Sequence, residues 1–184
     1  MALIVETGVQ VSGADSYVSL TDAAAYHTDR GNTAWAAAAS DTVREQALRK
    51  ATQYIDGHYF HRWKGAVVAP LTQSLQWPRA GVKISDPQEY YATLPSFYDV
   101  SYSGFLEITT IPQKLKDATC EAALRSLSAA LAPDLKRGGR MASVNVAGIQ
   151  QTFEQGASPN TSYQIIDQLL APFLKSNQMS LVRG

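Results

Sequence analysis

Apolar residues recur at helical spacing in four stretches of the chain. Ser19-Leu20-Thr21-Asp22 reads as a capped helix start with an acid in the first turn. That helix runs to about Arg30, where Gly31-Asn32 stops it. Leu20, Ala23, Ala24 and Tyr26 turn to the core, while Asp22, Asp29 and Arg30 turn to water. Ser40-Asp41 caps a longer helix in which Val43, Ala47, Leu48, Ala51, Tyr54 and Ile55 make one apolar stripe, with Arg44, Glu45, Arg49 and Lys50 off it. Gly57 ends it. A third helix opens at Ile111-Pro112, with proline at its first position, and is expected to run over 112–132 until Pro133. Leu115, Ala118, Thr119, Ala122, Leu124, Leu127 and Leu131 spread over its broad face, many of them small enough to let another helix approach closely. Ser158-Pro159-Asn160-Thr161 starts a fourth, carrying Ile165, Ile166, Leu169, Leu170 and Phe173, with Pro172 kinking or shortening it.

Between these stretches the period changes. Residues 2–6 read as a short strand, broken at Gly8 and Ser12-Gly13-Ala14-Asp15. Trp35 sits in a link of small residues. Val144, Val146, Ile149 and Phe153 alternate with Asn145, Gln150 and Thr152 around Gly148, which predicts a hairpin. An arm at 65–110 carries Pro70, Pro78, Pro87 and Pro95, which exclude long helices. Its second half is acidic and aromatic: Asp86, Glu89, Asp99 and Glu107 interleave with Tyr90, Tyr91, Phe97, Tyr98, Tyr102 and Phe105, and no Lys or Arg occurs between Lys83 and Lys114. Ser176 to Gly184 reads as a flexible tail. The expected fold is mainly α: a small bundle of about four helices with a short β-hairpin and a long irregular loop, in a single domain over 1–184.

Composition narrows the function. With 184 residues and 45% apolar content, the chain can bury a real core. Sixteen Lys and Arg balance sixteen Asp and Glu, so no global field draws the protein to DNA or to a membrane surface. The single cysteine, Cys120, lies in an alanine-rich stretch and reads as a buried helix face, which fits a reducing compartment. The N-terminus lacks the charged and apolar regions of a signal peptide, and no run of apolar residues is long enough for a membrane span.

Candidate chemistry is sparse. His58 and His61 are three residues apart, not the four that the zinc helix motif needs, so no metal site is expected. There is no Gly-x-Ser-x-Gly elbow and no phosphate loop; Gly138-Gly139 follows a helix and reads as a linker. No catalytic residue and no cofactor site are assigned, and the chain is expected not to be an enzyme. The run Tyr54, His58, Tyr59, Phe60, His61, Arg62, Trp63, Lys64, with Trp77 and Arg79, admits two readings. Stacking rings among cations hold single strands. A Trp-Pro pair beside arginine also makes a packed corner. The second is preferred, with Arg62, Trp63, Trp77, Pro78 and Arg79 as a structural corner clamped by Arg62 or Arg79.

Several segments together resemble a phage family labelled DnaT-like single-stranded-DNA-binding, whose members are similar to head–tail connector proteins. They are Met1-Ala2-Leu3-Ile4-Val5-Glu6, Ala14-Asp15-Ser16-Tyr17-Val18-Ser19, Tyr26 with Arg30-Gly31-Asn32, and Ala47-Leu48-Arg49-Lys50-Ala51-Thr52-Gln53-Tyr54-Ile55-Asp56. Tyr59, Arg62-Trp63-Lys64-Gly65, Leu75-Gln76-Trp77-Pro78-Arg79, Ile111-Pro112, Leu115-Lys116-Asp117-Ala118-Thr119-Cys120-Glu121 and Leu169-Leu170-Ala171-Pro172-Phe173-Leu174 continue the match. The resemblance implies a structural virion protein: a dodecameric ring beneath the portal, with packaged DNA passing through it without sequence-specific binding. Its partners would be the portal protein, a tail or neck protein such as a stopper or tail terminator, and further copies of itself, with no membrane. It would reside at the head–tail interface of the virion, and in the host cytoplasm before assembly. On this reading Met179, Leu181, Val182 and Arg183 meet the portal. Tyr90, Tyr91, Phe97 and Tyr98 pack on a neighbouring subunit or neck component, facing Lys136, Arg137 and Arg140. The alternative is a single-stranded-DNA-binding replication protein.

Overall fold

The computed structural model describes residues 2–83, 104–133, 143–146, 149–152 and 162–175. Helix α1 spans Leu20–Asp29, and the Ser19 hydroxyl accepts the Asp22 N–H at 3.0 Å, as the capping pattern predicts. Gly31 then takes a positive φ of 67° that a side chain would disfavour. Trp35 lies not in a link but in a one-turn helix, α2 (Thr33–Ala36), with its ring buried. Helix α3 spans Asp41–His58, capped by Ser40, whose hydroxyl accepts the Val43 N–H at 3.3 Å.

Helix α4 spans Gln113–Ser126 and ends well before the expected boundary. Pro112 is its N-cap rather than its first residue. The early stop has a local cause. The Ser126 hydroxyl donates to Ala123 O at 2.8 Å, and the Ser128 N–H and hydroxyl both turn back to Arg125 O at 3.1 Å. Serine side chains here compete with the helix ladder. The chain folds back beyond this point, which buries Leu131. Helix α5 covers Gln164–Leu170 and tightens into a 3₁₀ turn, Ala171–Phe173, at Pro172. The residues expected to start it, Ser158 to Thr161, lie outside the described ones.

The fold is mainly helical, with five α-helices among the described residues. α3 packs on α4, α4 on α5, and α1 on both α3 and α4. Leu48, Ala51 and Ile55 of α3, Leu115, Ala118 and Ala122 of α4, and Ile166 and Leu170 of α5 are buried in one cluster. Alanines at the contact bring α3 close to α4 with little side-chain ordering cost. The hairpin pairs β3 (Ser143–Val146) with β4 (Ile149–Thr152), Val146 opposite Ile149 and Ser143 opposite Thr152. Phe153 lies outside the described residues. A smaller pair, β1 (Ala66–Val67) and β2 (Arg79–Ala80), places Val67 opposite Arg79 within the arm expected to be irregular.

The expected strand at 2–6 is reduced to a single bridge between Val5 and Ser16. Its place is taken by a hook built on Glu6. The buried Glu6 carboxylate accepts the backbone N–H groups of Gly8, Gln10 and Val11 at 2.8, 3.1 and 2.9 Å. A carboxylate satisfied by three amides replaces the ladder that a strand would need. Gly8 lies against Thr109, where an added Cβ would fall 1.8 Å from its carbonyl oxygen.

Leu48 is fully buried between α3 and its neighbours. Leu48→Ala is expected to lower unfolding free energy by about 2–5 kcal/mol in urea denaturation. An unchanged transition midpoint would contradict the α3–α4 core.

Candidate functional site

The end of α3 joins the rest of the fold through a corner of aromatic rings. Trp63 and Trp77 meet edge to face at 5.7 Å, and Trp77 meets Phe173 in the same way at 5.5 Å. Both tryptophans are buried, Pro78 is buried beside them, and the Trp77–Pro78 peptide is cis. Arg79 is the fastener. Its Nε donates to Lys64 O at 2.8 Å and its Nη2 to Gly65 O at 2.9 Å, while Nη1 reaches Gln76 O at 3.3 Å and Gln76 Oε1 at 3.2 Å. It therefore holds backbone carbonyls across the β1–β2 pair rather than lying over an indole. Arg62 does not clamp the tryptophans either; its guanidinium lies 5.5 Å from the centre of the Tyr59 ring. Gly65 has φ 65°, and an added Cβ would come within 2.2 Å of Ala80 O, so only glycine lets this turn close.

A polar relay fixes the corner to α3. Tyr17 donates its hydroxyl proton to Asp56 Oδ1 at 2.5 Å, and Asp56 Oδ2 accepts the Gln76 N–H at 3.0 Å. The Trp77 N–H donates to the Tyr17 oxygen at 3.2 Å. Burial pushes the Asp56 carboxyl up to about 6; the bonds from Tyr17 and Gln76 and the charge of Arg79 act against that rise. Burial, and then Asp56 itself, push the Tyr17 phenol well above its ordinary value, so it stays a donor.

From this interior the rings continue to the surface. Trp63 lies 5.9 Å from Tyr59, and Tyr59 meets His58 edge to face at 4.7 Å. His58 stacks on Tyr54 one turn back, at 5.1 Å and 20°. Tyr163 closes on Tyr54 from the side at 5.9 Å and sends its hydroxyl to Leu131 O at 3.4 Å. Burial, followed by Tyr163 and Asp167, pushes the Tyr54 phenol up to about 12. The Tyr59 hydroxyl donates to Asp167 Oδ1 at 2.7 Å, so Tyr59 is anchored inward.

Tyr54 and His58 open onto a groove of about 580 Å³. One face of α3 supplies Lys50, Gln53, Tyr54, Gly57 and His58, a spacing of three and four that keeps them on one side of the helix. The facing wall is Ser126 and Ala129 to Ala132, the chain that folds back after α4. No acid lines it. A second hollow of about 610 Å³ is lined by Ala34, Ala37, Ala38, Ala39, Val43, Leu124, Arg125, Leu127 and Ser128, and presents no aromatic ring.

The structure divides the basic-aromatic run. Trp63, Trp77 and Arg79 are buried and cannot offer a face to a ligand, whereas Tyr54, His58, Phe60 and His61 reach the surface. Cys120 is buried in α4, its thiol pushed up to about 12 by burial, and so is a core residue rather than a nucleophile. Among the described residues no three His, Cys, Asp or Glu side chains gather as a metal site, and no helix is long and apolar enough to cross a membrane. Tyr90, Tyr91, Phe97, Tyr98, Lys136, Arg137, Arg140, Met179, Leu181, Val182 and Arg183 lie outside the described residues. One signal in the sequence goes unused by the reading above. From Gly57 to Lys83 there is no Asp or Glu, while Arg62, Lys64, Arg79 and Lys83 fall within it. The zero net charge conceals this segregation.

A family model described as "Putative DnaT-like ssDNA binding protein" matches residues 1–184. No curated protein and no solved structure matches the chain. The family finding overturns the virion connector expected from the resemblance. A ring under the portal, with portal and tail or neck proteins as partners, has no support in a match whose description is of single-stranded-DNA binding; it agrees instead with the alternative. The neutral overall charge, which counted against DNA, averages over a chain whose basic and acidic residues are separated.

Two outcomes follow from the corner. Arg79→Lys cannot span Lys64 O and Gly65 O, and is expected to cost about 1–3 kcal/mol of stability in chemical denaturation; a wild-type midpoint would contradict the clamp. The Asp56 carboxyl is expected to titrate near 6 by NMR. Between about pH 4 and that value the folded chain keeps a proton that the unfolded chain has lost, so this group's stabilisation is full below about pH 4 and disappears as pH rises through 6. Asp56→Asn removes that part of the pH dependence. A carboxyl titrating at 4 or below would contradict the buried relay.

Proposed function

The chain belongs to the family of DnaT-like ssDNA-binding proteins, and on that premise we propose that it binds single-stranded DNA on the Tyr54–His58 face of α3. The observation that carries this is the stacked pair of rings opening onto a groove that has Lys50 and, among the described residues, no acid in its lining. A base has a π-face whatever its identity, so stacking holds a strand without reading its sequence. Lys50 stands one turn before Tyr54 and Gln53 directly before it, where a cation and an amide can meet phosphate or a base edge. Tyr54 is braced from behind by Tyr163, so little side-chain freedom is lost on binding. The role is binding alone, with no bond made or broken. Duplex DNA keeps its bases stacked on each other and offers this face nothing comparable.

Fluorescence anisotropy with a labelled oligo-dT tests the reading. Wild-type protein is expected to bind the single strand, to bind a duplex of equal length more weakly, and to lose affinity as salt rises. Tyr54→Ala is expected to weaken binding about tenfold, within the range for one lost base stack, with the helical content of the fold retained. Equal affinity for strand and duplex, or a Tyr54→Ala variant that binds like wild type, would overturn the proposal.

A further inference from the structure

Phe60 is the one large ring just beyond α3 that points outward. It is 52% exposed, although Tyr59 just before it and Trp63 three residues on are buried. His61 meets it edge to face at 4.8 Å, a geometry in which that neighbour can cover at most one face of the phenyl ring. The turn that carries it is firmly held: the Arg62 N–H donates to Tyr59 O at 2.9 Å, the Lys64 N–H to Phe173 O at 2.9 Å, and the Lys175 N–H to Arg62 O at 2.7 Å. Those bonds bring the backbone at Arg62, Lys64 and Lys175 together, and Lys175 is exposed, whereas the Lys64 ammonium donates to Pro172 O at 2.8 Å. The turn lies inside the acid-free stretch from Gly57 to Lys83. An exposed ring on a fixed turn among cations matches the composition of a surface that holds a stacked base next to a phosphate.

We infer that Phe60 is a second base-stacking station, which takes a base several nucleotides along the strand that the Tyr54–His58 pair holds. This rests on the proposed function. His58 and Phe60 are two residues apart, so their Cα atoms are no more than about 7 Å apart, but residues at that spacing do not share a helix face, and the strand turns around the end of α3 to meet both rings. The strand then runs from the groove beside Lys50, over His58, to Arg62 and Lys175. Affinity depends on length because a strand too short to reach Phe60 gains nothing from it, whereas a longer one gains a second stack at no further cost of association.

The test is anisotropy with labelled dT2 and dT20 on wild-type protein and on Phe60→Ala, Phe60→Trp and Tyr54→Ala variants. Phe60→Ala is expected to weaken dT20 about tenfold while changing dT2 little, and Phe60→Trp to restore dT20 binding. Tyr54→Ala is expected to weaken both. Phe60→Ala binding dT20 as wild type does, while Tyr54→Ala is impaired, overturns the second station and leaves the first intact. Equal losses on dT2 and dT20 in Phe60→Ala also overturn it, because the ring would then belong to the first station. Wild-type protein that binds neither oligonucleotide overturns the proposed function itself.

Discussion

Asp56 is where three parts of this molecule meet. It stands in the last turn of α3, accepts the Tyr17 hydroxyl from the N-terminal segment, and accepts the Gln76 N–H from the loop that carries Trp77. Tyr17 in turn receives the Trp77 N–H. This relay ties the loop 74–80 to α3 directly, and fixes an orientation that ring packing, which is tolerant of rotation, would leave looser. The relay sets the corner, Arg79 closes it on Lys64 O and Gly65 O, and the closed corner sets the direction in which the chain leaves α3. Phe60 and His61 face outward because Tyr59 and Trp63, their neighbours, are committed inward.

The same commitment separates structure from function within one run of aromatic residues. The ring contacts are continuous from Phe173 through Trp77, Trp63, Tyr59 and His58 to Tyr54. Their inner members are buried and act as core. The outer pair is held in place by that core and yet opens onto the groove. A binding surface built in this way is rigid without being strained, and rigidity lowers the entropy lost when a flexible strand is captured.

What the sequence announced depended on how local the cause was. Ser19 and Ser40 were readable as caps because a cap bonds within its own turn. The stop of α4 was not: Ser126 and Ser128 look like ordinary exposed helix residues, and only their bonds to Ala123 O and Arg125 O end it. Residues 2–6 have strand composition, but the Glu6 carboxylate takes the amides of Gly8, Gln10 and Val11 and makes a hook instead. His27 showed no sign of burial, yet it packs against Trp35 at 4.6 Å, since the one-turn helix that brings Trp35 to it is too short to leave a periodic signal. At the site, the residue types in the run from Tyr54 to Arg79 were visible. Which rings face inward was not, because that depends on contacts with Tyr17 and Phe173 far along the chain. The acid-free stretch from Gly57 to Lys83 was present in the sequence, and the zero net charge masked it.

The central claim is that a single strand lies across the end of α3, not on the tryptophan corner or elsewhere. Photocrosslinking places it most directly: an oligo-dT substituted with 4-thiothymidine is irradiated on the full chain, and the adducts are mapped by mass spectrometry of the proteolysed protein. The account predicts adducts on the peptides that contain Tyr54, His58 and Phe60. Adducts confined to peptides outside residues 50–64, from a strand that demonstrably binds, would contradict it.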